Sequence, residues 1–234
     1  MSSKTLAELD DYRQAMRLEH PVVAENGART WVPGGYFDES VGAEIDAVTR
    51  ADLQAVYTSL KTAGSYNCQA FFELGIEGIS RETGLSKAQA RRANERAASE
   101  PILWLDADAR AVEFIDAVNQ QGLRCVRGGR FLHLMANTGK EDAVRNLTAA
   151  YERQWNVAQV VTVSLGDGPN DLGMLAATNI GVIIPGRHRH SMDLTSDNRI
   201  LRPVQAGPTG WNEAMLQILA ELEIQPAALI KNGA

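Results

Sequence analysis

"QVVTVSL" at residues 159–165 runs directly into "GDGPND" at residues 166–171, and the reading of these thirteen positions decides the fold. The first seven form a continuous apolar run, which predicts a strand covered on both faces within a parallel sheet. The next six open with a glycine turn and carry Pro169 where a helix would begin, so the segment reads as strand, loop, helix. In open α/β sheets, ligands bind outside the carboxyl ends of the strands, and Asp167 falls there. Asp167 and Asp171 place two hard oxygen donors on one short loop, a set suited to Mg2+ with a phosphate oxygen, while the free N–H groups of the first helical turn attract anions. Metal-assisted phosphoryl chemistry is the expectation. The simpler alternative is a turn whose aspartates only cap the helix.

The same alternation continues on both sides. A helix is expected over 140–155, another over 169–177, a strand at "IGVII" (180–184) and a last helix over 209–223, with Trp211 packing it onto the core. At the amino-terminal end Thr5-x-x-Glu8 is a capping-box pattern, and Leu6, Leu9 and Met16 follow at helical spacing. "PVVA" (21–24) reads as a buried strand closed by the turn Glu25-Asn26-Gly27, with "RTWV" (29–32) as its partner. Pro33-Gly34-Gly35 then breaks the regularity.

From 37 to about 136 the pattern changes. Helices are expected near 50–63, 86–98 and 108–121, with strands at "YNCQAFF", "PILWL", "LRCVR" and "RFLHLM". The last two flank Gly128-Gly129, a hairpin signal that implies antiparallel pairing. The chain therefore divides into a first core part (1–36), an inserted α+β cap domain (37–136) and a second core part (137–234).

Composition fits a small-molecule enzyme. The 234 residues are 44% hydrophobic and 22% charged, and 23 Lys+Arg against 29 Asp+Glu give a net charge of −6. An acidic chain offers no footprint for nucleic acid or an anionic membrane. Cys68 and Cys125 lie far apart without ligand spacing, as expected of buried thiols in a reducing compartment. No apolar run approaches the roughly 20 residues of a membrane span, and "MSSKTLAELDD" lacks a secretory pattern, so a cytoplasmic location is expected.

The loop at 166–171 resembles the last motif of the haloacid dehalogenase-like phosphohydrolases. With "SSKT" (2–5), "PVVAENGA" (21–28), "GGYF" (34–37), "SEPILW" (99–104), "GGRFLHLM" (128–135), Lys140 and "GPTGW" (207–211), the chain is similar over nearly its whole length to the mannosyl-3-phosphoglycerate phosphatase family. The resemblance implies an α/β, haloacid dehalogenase-like parallel-sheet core with an inserted α+β cap. It also implies Mg2+-dependent hydrolysis of mannosyl-3-phosphoglycerate to mannosylglycerate and phosphate, through attack by an aspartate. Carried over by position, Ser2 would bind phosphoryl oxygens, with Ser3 adjacent, and Lys140 would stabilise the negative charge. Asp167 and Asp171 would hold the metal with Asn170 in support, and Arg130 and His133 would face the glycerate or sugar end.

The family's Asp-x-Asp-Gly-Thr strand has no counterpart before Ser2, so the core is expected to lack its first strand, roughly 30 residues if one βα unit is lost. "ILWLDADAR" holds an internal Asp106-x-Asp108, but Ala109-Arg110 follows where the family has Gly-Thr, and a helix cap at Asp108 is the better reading. Impaired activity is expected of such a chain. The alternatives are a phosphatase on a glucosyl conjugate or another sugar phosphate, and a non-catalytic ligand-binding remnant. Three further features read as structural: "GRHRH" (186–190) as a solvated loop, "KAQARRANER" (87–96) as a basic surface face, and Glu25-Asn26 as a turn.

Overall fold

The computed structural model describes residues 1–38, 48–186, 192, 194 and 196–223. Contacts divide the chain into two compact units, Met1–Val160 and Val161–Ala234.

In the first unit, α1 (Leu6–Ala15) opens on the expected capping box: the Thr5 hydroxyl accepts the Glu8 N–H at 3.1 Å, and Glu8 accepts the Thr5 N–H at 2.9 Å. Its apolar face is not sealed, since Leu6 and Leu9 are half-buried and Met16 is exposed. Strand β1 (Val22–Ala24) pairs antiparallel with β2 (Arg29–Trp31) across the 3-10 turn Glu25–Gly27. Residues 2–4 run beside β1, with Ser2 N–H donating to the Val23 carbonyl and Glu25 N–H to the Lys4 carbonyl.

The insert is α+β, as expected. Strands β3 (Cys68–Ala70), β4 (Ser99–Trp104), β5 (Leu123–Arg127) and β6 (Leu132–Ala136) form an antiparallel sheet in the order β3-β4-β6-β5. The hairpin at Gly128-Gly129 joins β5 to β6. Helices α2 (Arg50–Gly64) and α5 (Asp108–Gln120) bury Leu53, Tyr57, Phe114 and Val118 against Ile102, Leu132 and Leu134 of the sheet. Both cysteines are buried and unpaired, and burial pushes the Cys125 thiol up to about 12.

Two expectations fail here for local reasons. "YNCQAFF" is a strand only to Ala70, because the Glu73 carboxylate accepts the Ala70 N–H at 2.9 Å and starts α3 (Phe71–Thr83) within the apolar run. Helix α4 (Lys87–Asn94) ends early, because Arg50 takes both the carbonyl and the side-chain oxygen of Asn94 at 2.7 and 2.8 Å. Helix α6 (Lys140–Trp155) then agrees with expectation.

The second unit carries the parallel sheet, β7 (Val163–Gly166), β8 (Ile180–Ile183) and β9 (Arg199–Leu201) in that order. Strand β7 is shorter than its apolar run, and Asn179 Oδ1 accepts the Thr162 N–H at 2.8 Å just before it. After the loop come a 3-10 turn (Pro169–Asp171) and α7 (Leu172–Ala176); α8 (Gly207–Glu221) ends the described chain's regular structure. Trp211 does not seal α8 onto the core: it is 50% exposed, and the packed stripe is Gly210, Ala214 and Ile218, four residues apart. Small residues at that contact leave the indole at its edge. Residues 187–190 of "GRHRH" lie outside the described residues. Among the described residues no helix is long and apolar enough to cross a membrane.

Candidate active site

The expected site residues fall in both units. In the first, Ser2 is held by its backbone, with N–H to Val23 and carbonyl from the Asn26 N–H at 2.9 Å. Its hydroxyl oxygen accepts the Lys4 N–H at 3.1 Å, which leaves the O–H proton to donate to an anion. Glu25 and Asn26 take left-handed backbone angles, φ 51° and 58°, and Gly27 continues at φ 107°. This bend sets the 3-10 turn against the start of α6, where Lys140 is 5% exposed. Lys140 is the first residue of α6, where a cation opposes the helix dipole.

Glu25 is more than a turn residue. Its buried carboxylate accepts the N–H groups of Ala97 and Ala98 at 3.1 and 3.0 Å and the Ser99 hydroxyl at 2.7 Å. The Ser99 hydroxyl in turn accepts Arg96 Nη1 at 2.9 Å. Sequence reasoning missed Arg96 by assigning 87–96 wholly to the surface; the apolar spacing of Ala90 and Ala93 was the signal that one side of α4 packs inward.

His133 lies on β6 and is 7% exposed, and its Nδ1 has no hydrogen-bond partner. Burial first, then the charges of Arg96 and Lys140, holds its pKa down at about 3, so the ring is neutral near pH 7. Thr138, also buried, has an unpartnered hydroxyl two residues before Lys140. Buried polar atoms left unsatisfied cost about 1–3 kcal/mol each. Arg130 lies outside β6, exposed in the turn, where it donates to the Glu82 carbonyl at the end of α3. It does not share a strand with His133.

Asp106 is engaged elsewhere in the insert. Its carboxylate accepts the Ala107 N–H at 2.9 Å, the Asn67 N–H at 3.3 Å and Arg110 at 2.9 Å, and these bonds, the Ala107 one foremost, lower its pKa. Asp106 rather than Asp108 holds the turn before α5; Asp108 begins the helix and pairs with Arg127 at 3.0 Å.

In the second unit Asp167 is exposed at the carboxyl end of β7, followed by half-buried Asn170. Asp171, 7% exposed, turns its Oδ2 inward to accept the N–H groups of Asp167 and Gly168 at 3.1 and 3.2 Å. Gly166 makes this possible, since a side-chain carbon there would stand 2.4 Å from Asp171 Cβ. One outward and one inward carboxylate fit a hard cation that keeps most of its waters, not one caged by protein alone. Among the described residues no group of three His, Cys, Asp or Glu side chains comes together for a metal.

No family profile matches the chain. A glucosyl-3-phosphoglycerate/mannosyl-3-phosphoglycerate phosphatase from Methanococcoides burtonii is 30% identical, over 94% of this chain and 84% of that protein. The fold is similar to that of a sucrose-phosphatase from Synechocystis sp. PCC6803, at 15% identity, TM-score 0.59, and coverage of 94% of this chain and 82% of the other. It is also similar to a haloalkanoate dehalogenase superfamily phosphatase from Bacteroides thetaiotaomicron, at 15% identity, TM-score 0.57, and coverage of 95% and 80%. These two show the haloacid dehalogenase-like α/β fold, and the first relative shows the family. The chain belongs to the glucosyl-3-phosphoglycerate/mannosyl-3-phosphoglycerate phosphatase family.

Proposed function

We propose that the protein hydrolyses the phosphate ester of a glycosyl-3-phosphoglycerate, mannosyl or glucosyl, releasing the glycosylglycerate and inorganic phosphate. The observation that carries this reading is the identity, sustained along 94% of the chain, with a relative whose name holds both substrates. The chemistry of the first unit supports it. A dianionic phosphoryl group would be met by the Ser2 hydroxyl and the Lys140 ammonium, with Ser3 beside them. The neutral His133 ring, with its unpartnered Nδ1, suits a polar group of the glycerate or sugar, and exposed Arg130 suits the glycerate carboxylate.

Asp167 would hold Mg2+, with Asn170 in support and Asp171 shaping the loop and completing the outer ligation. The chemistry such an ion would supply is neutralisation of negative charge on a phosphoryl group. The protein's own contribution would be electrostatic, with Lys140, the first residue of α6, offsetting charge as it shifts towards the leaving oxygen. The division of labour follows the proposed domains, with 1–36 and 137–234 handling phosphate and 37–136 selecting the sugar. The family's attacking aspartate has no match among these 234 residues, so a polypeptide of these residues alone is expected to turn over slowly.

The test is phosphate release from mannosyl-, glucosyl- and simple sugar phosphates, with the 234-residue chain and with a version preceded by an Asp-x-Asp-Gly-Thr strand. Selective release from the two glycerate conjugates by the longer version is expected. Equal rates on all sugar phosphates would move the reading to a general sugar phosphatase. Tight binding of the conjugates with no turnover in either version would make the protein a ligand-binding remnant.

A further inference from the structure

Ser2 lies outside α1, and its main chain is fixed by the Val23 carbonyl and the Asn26 N–H, each at 2.9 Å. Its hydroxyl is oriented by the Lys4 N–H that it accepts at 3.1 Å. That N–H belongs to the same planar peptide unit as the Ser3 carbonyl, so the direction of one dictates the direction of the other. The Ser3 carbonyl accepts both terminal nitrogens of Arg96, each at 3.2 Å. Two donors from one planar guanidinium define an axis rather than a point.

We propose that Arg96 is a positioning residue for the phosphate-binding turn, acting through the Ser3–Lys4 peptide to aim the Ser2 hydroxyl at the phosphoryl group. The claim deepens the phosphatase reading and rests on it for the identity of the anion.

Arg96 is itself constrained on every side. Nε donates to the Ala93 carbonyl at 3.1 Å, Nη1 donates to the Ser99 hydroxyl at 2.9 Å, and the guanidinium carbon lies 5.7 Å from the Phe71 ring centroid. Ser99 is oriented by the Glu25 carboxylate at 2.7 Å, and Glu25, which opens the 3-10 turn Glu25–Gly27, is tied to the Ser2–Lys4 segment by its own N–H bonded to the Lys4 carbonyl. The circuit therefore closes: Glu25, Ser99, Arg96, the Ser3–Lys4 peptide and back to Glu25. The loop bearing Arg96 is anchored separately, by Arg50, which pairs with fully buried Glu100 at 2.7 Å and grips Asn94. A residue of the insert thus sets the geometry of the amino-terminal turn.

The experiment compares wild type with Arg96→Ala, Arg96→Lys and Ser99→Ala by calorimetric titration with inorganic phosphate and by amide exchange at Lys4. Arg92→Ala, on the helix just before the loop that bears Arg96 and paired with Asp11, is the control. Loss of the charged clamp should weaken phosphate binding about tenfold in Arg96→Ala and speed Lys4 exchange by a similar factor. Arg96→Lys should recover only part of the affinity, because an ammonium cannot bridge a carbonyl from two sides. Free guanidinium should restore phosphate binding to Arg96→Ala, which a general loss of packing would not allow. If Arg96→Ala does not fold, Ser99→Ala carries the test, with a few-fold loss in both readouts. Unchanged affinity and exchange in a folded variant, while wild type binds phosphate, would overturn the positioning role and leave the function intact. A wild type that takes up no phosphate would overturn the function instead, and Lys4 exchange alone then decides whether Arg96 holds the turn.

Discussion

Gly27 packs against Gly139 so closely that a side-chain carbon on it would stand 2.2 Å from the Gly139 carbonyl oxygen. Gly27 also has φ of 107°, which disfavours any other residue. Gly27→Ala should therefore cost about 2–4 kcal/mol, from backbone strain and overpacking together. It should also shift the amide signal of Lys140, whose nitrogen lies in the same contact. Gly34→Ala, where nothing lies within 4 Å, should be near neutral. Urea titration of both variants checks the contrast.

His133 gives stability a pH dependence of known sign. Folded, it titrates at about 3; unfolded, it returns to about 6.5. Between these values the unfolded chain holds the extra proton, so stability present above about 6.5 is lost as pH falls, by up to about 1.4 kcal/mol per unit. Replacing it by neutral glutamine, His133→Gln, should flatten that part of the curve. Denaturant midpoints measured from pH 7 to pH 4 on both proteins read this directly.

Glu100 is fully buried and accepts Arg50 Nε at 2.7 Å, Gln54 at 3.0 Å and the Phe72 N–H at 3.2 Å. Glu100→Gln leaves the Arg50 cation without its counter-charge, and a loss of roughly 3–5 kcal/mol is expected. The same measurement should show larger losses than Arg127→Ala, whose pair with Asp108 is solvent-exposed and contributes about 0–1 kcal/mol.

The two loop aspartates should separate cleanly. Asp171→Ala strands the N–H groups of Asp167 and Gly168 and should cost about 1–3 kcal/mol without metal. Asp167→Ala, an exposed change, should stay within about 0.5 kcal/mol of wild type and abolish any rise in Tm caused by Mg2+. Thermal melts with and without Mg2+ check both.

Periodic and capped segments were legible from sequence. The Thr5–Glu8 box, β8, the Gly128-Gly129 hairpin and α5 agree because local chemistry decides each. The start of α3 was not legible, because Phe71-Phe72 reads as strand until the Glu73 carboxylate is seen on the Ala70 N–H. The candidate site behaves in the same way. Asp167 at a strand end follows from order along the chain, whereas the roles of Glu25, Ser99 and Arg96 exist only once residues more than 70 positions apart meet. Trp211 misled for the converse reason: its size suggested burial, but Gly210 and Ala214 make the contact.

The most direct measurement is phosphate release from mannosyl-3-phosphoglycerate as Mg2+ is varied, using the version preceded by an Asp-x-Asp-Gly-Thr strand, with and without Asp167→Asn. A saturable rise with Mg2+ that disappears in the variant is the predicted result. No release above background, or release indifferent to both Mg2+ and Asp167, would contradict the account.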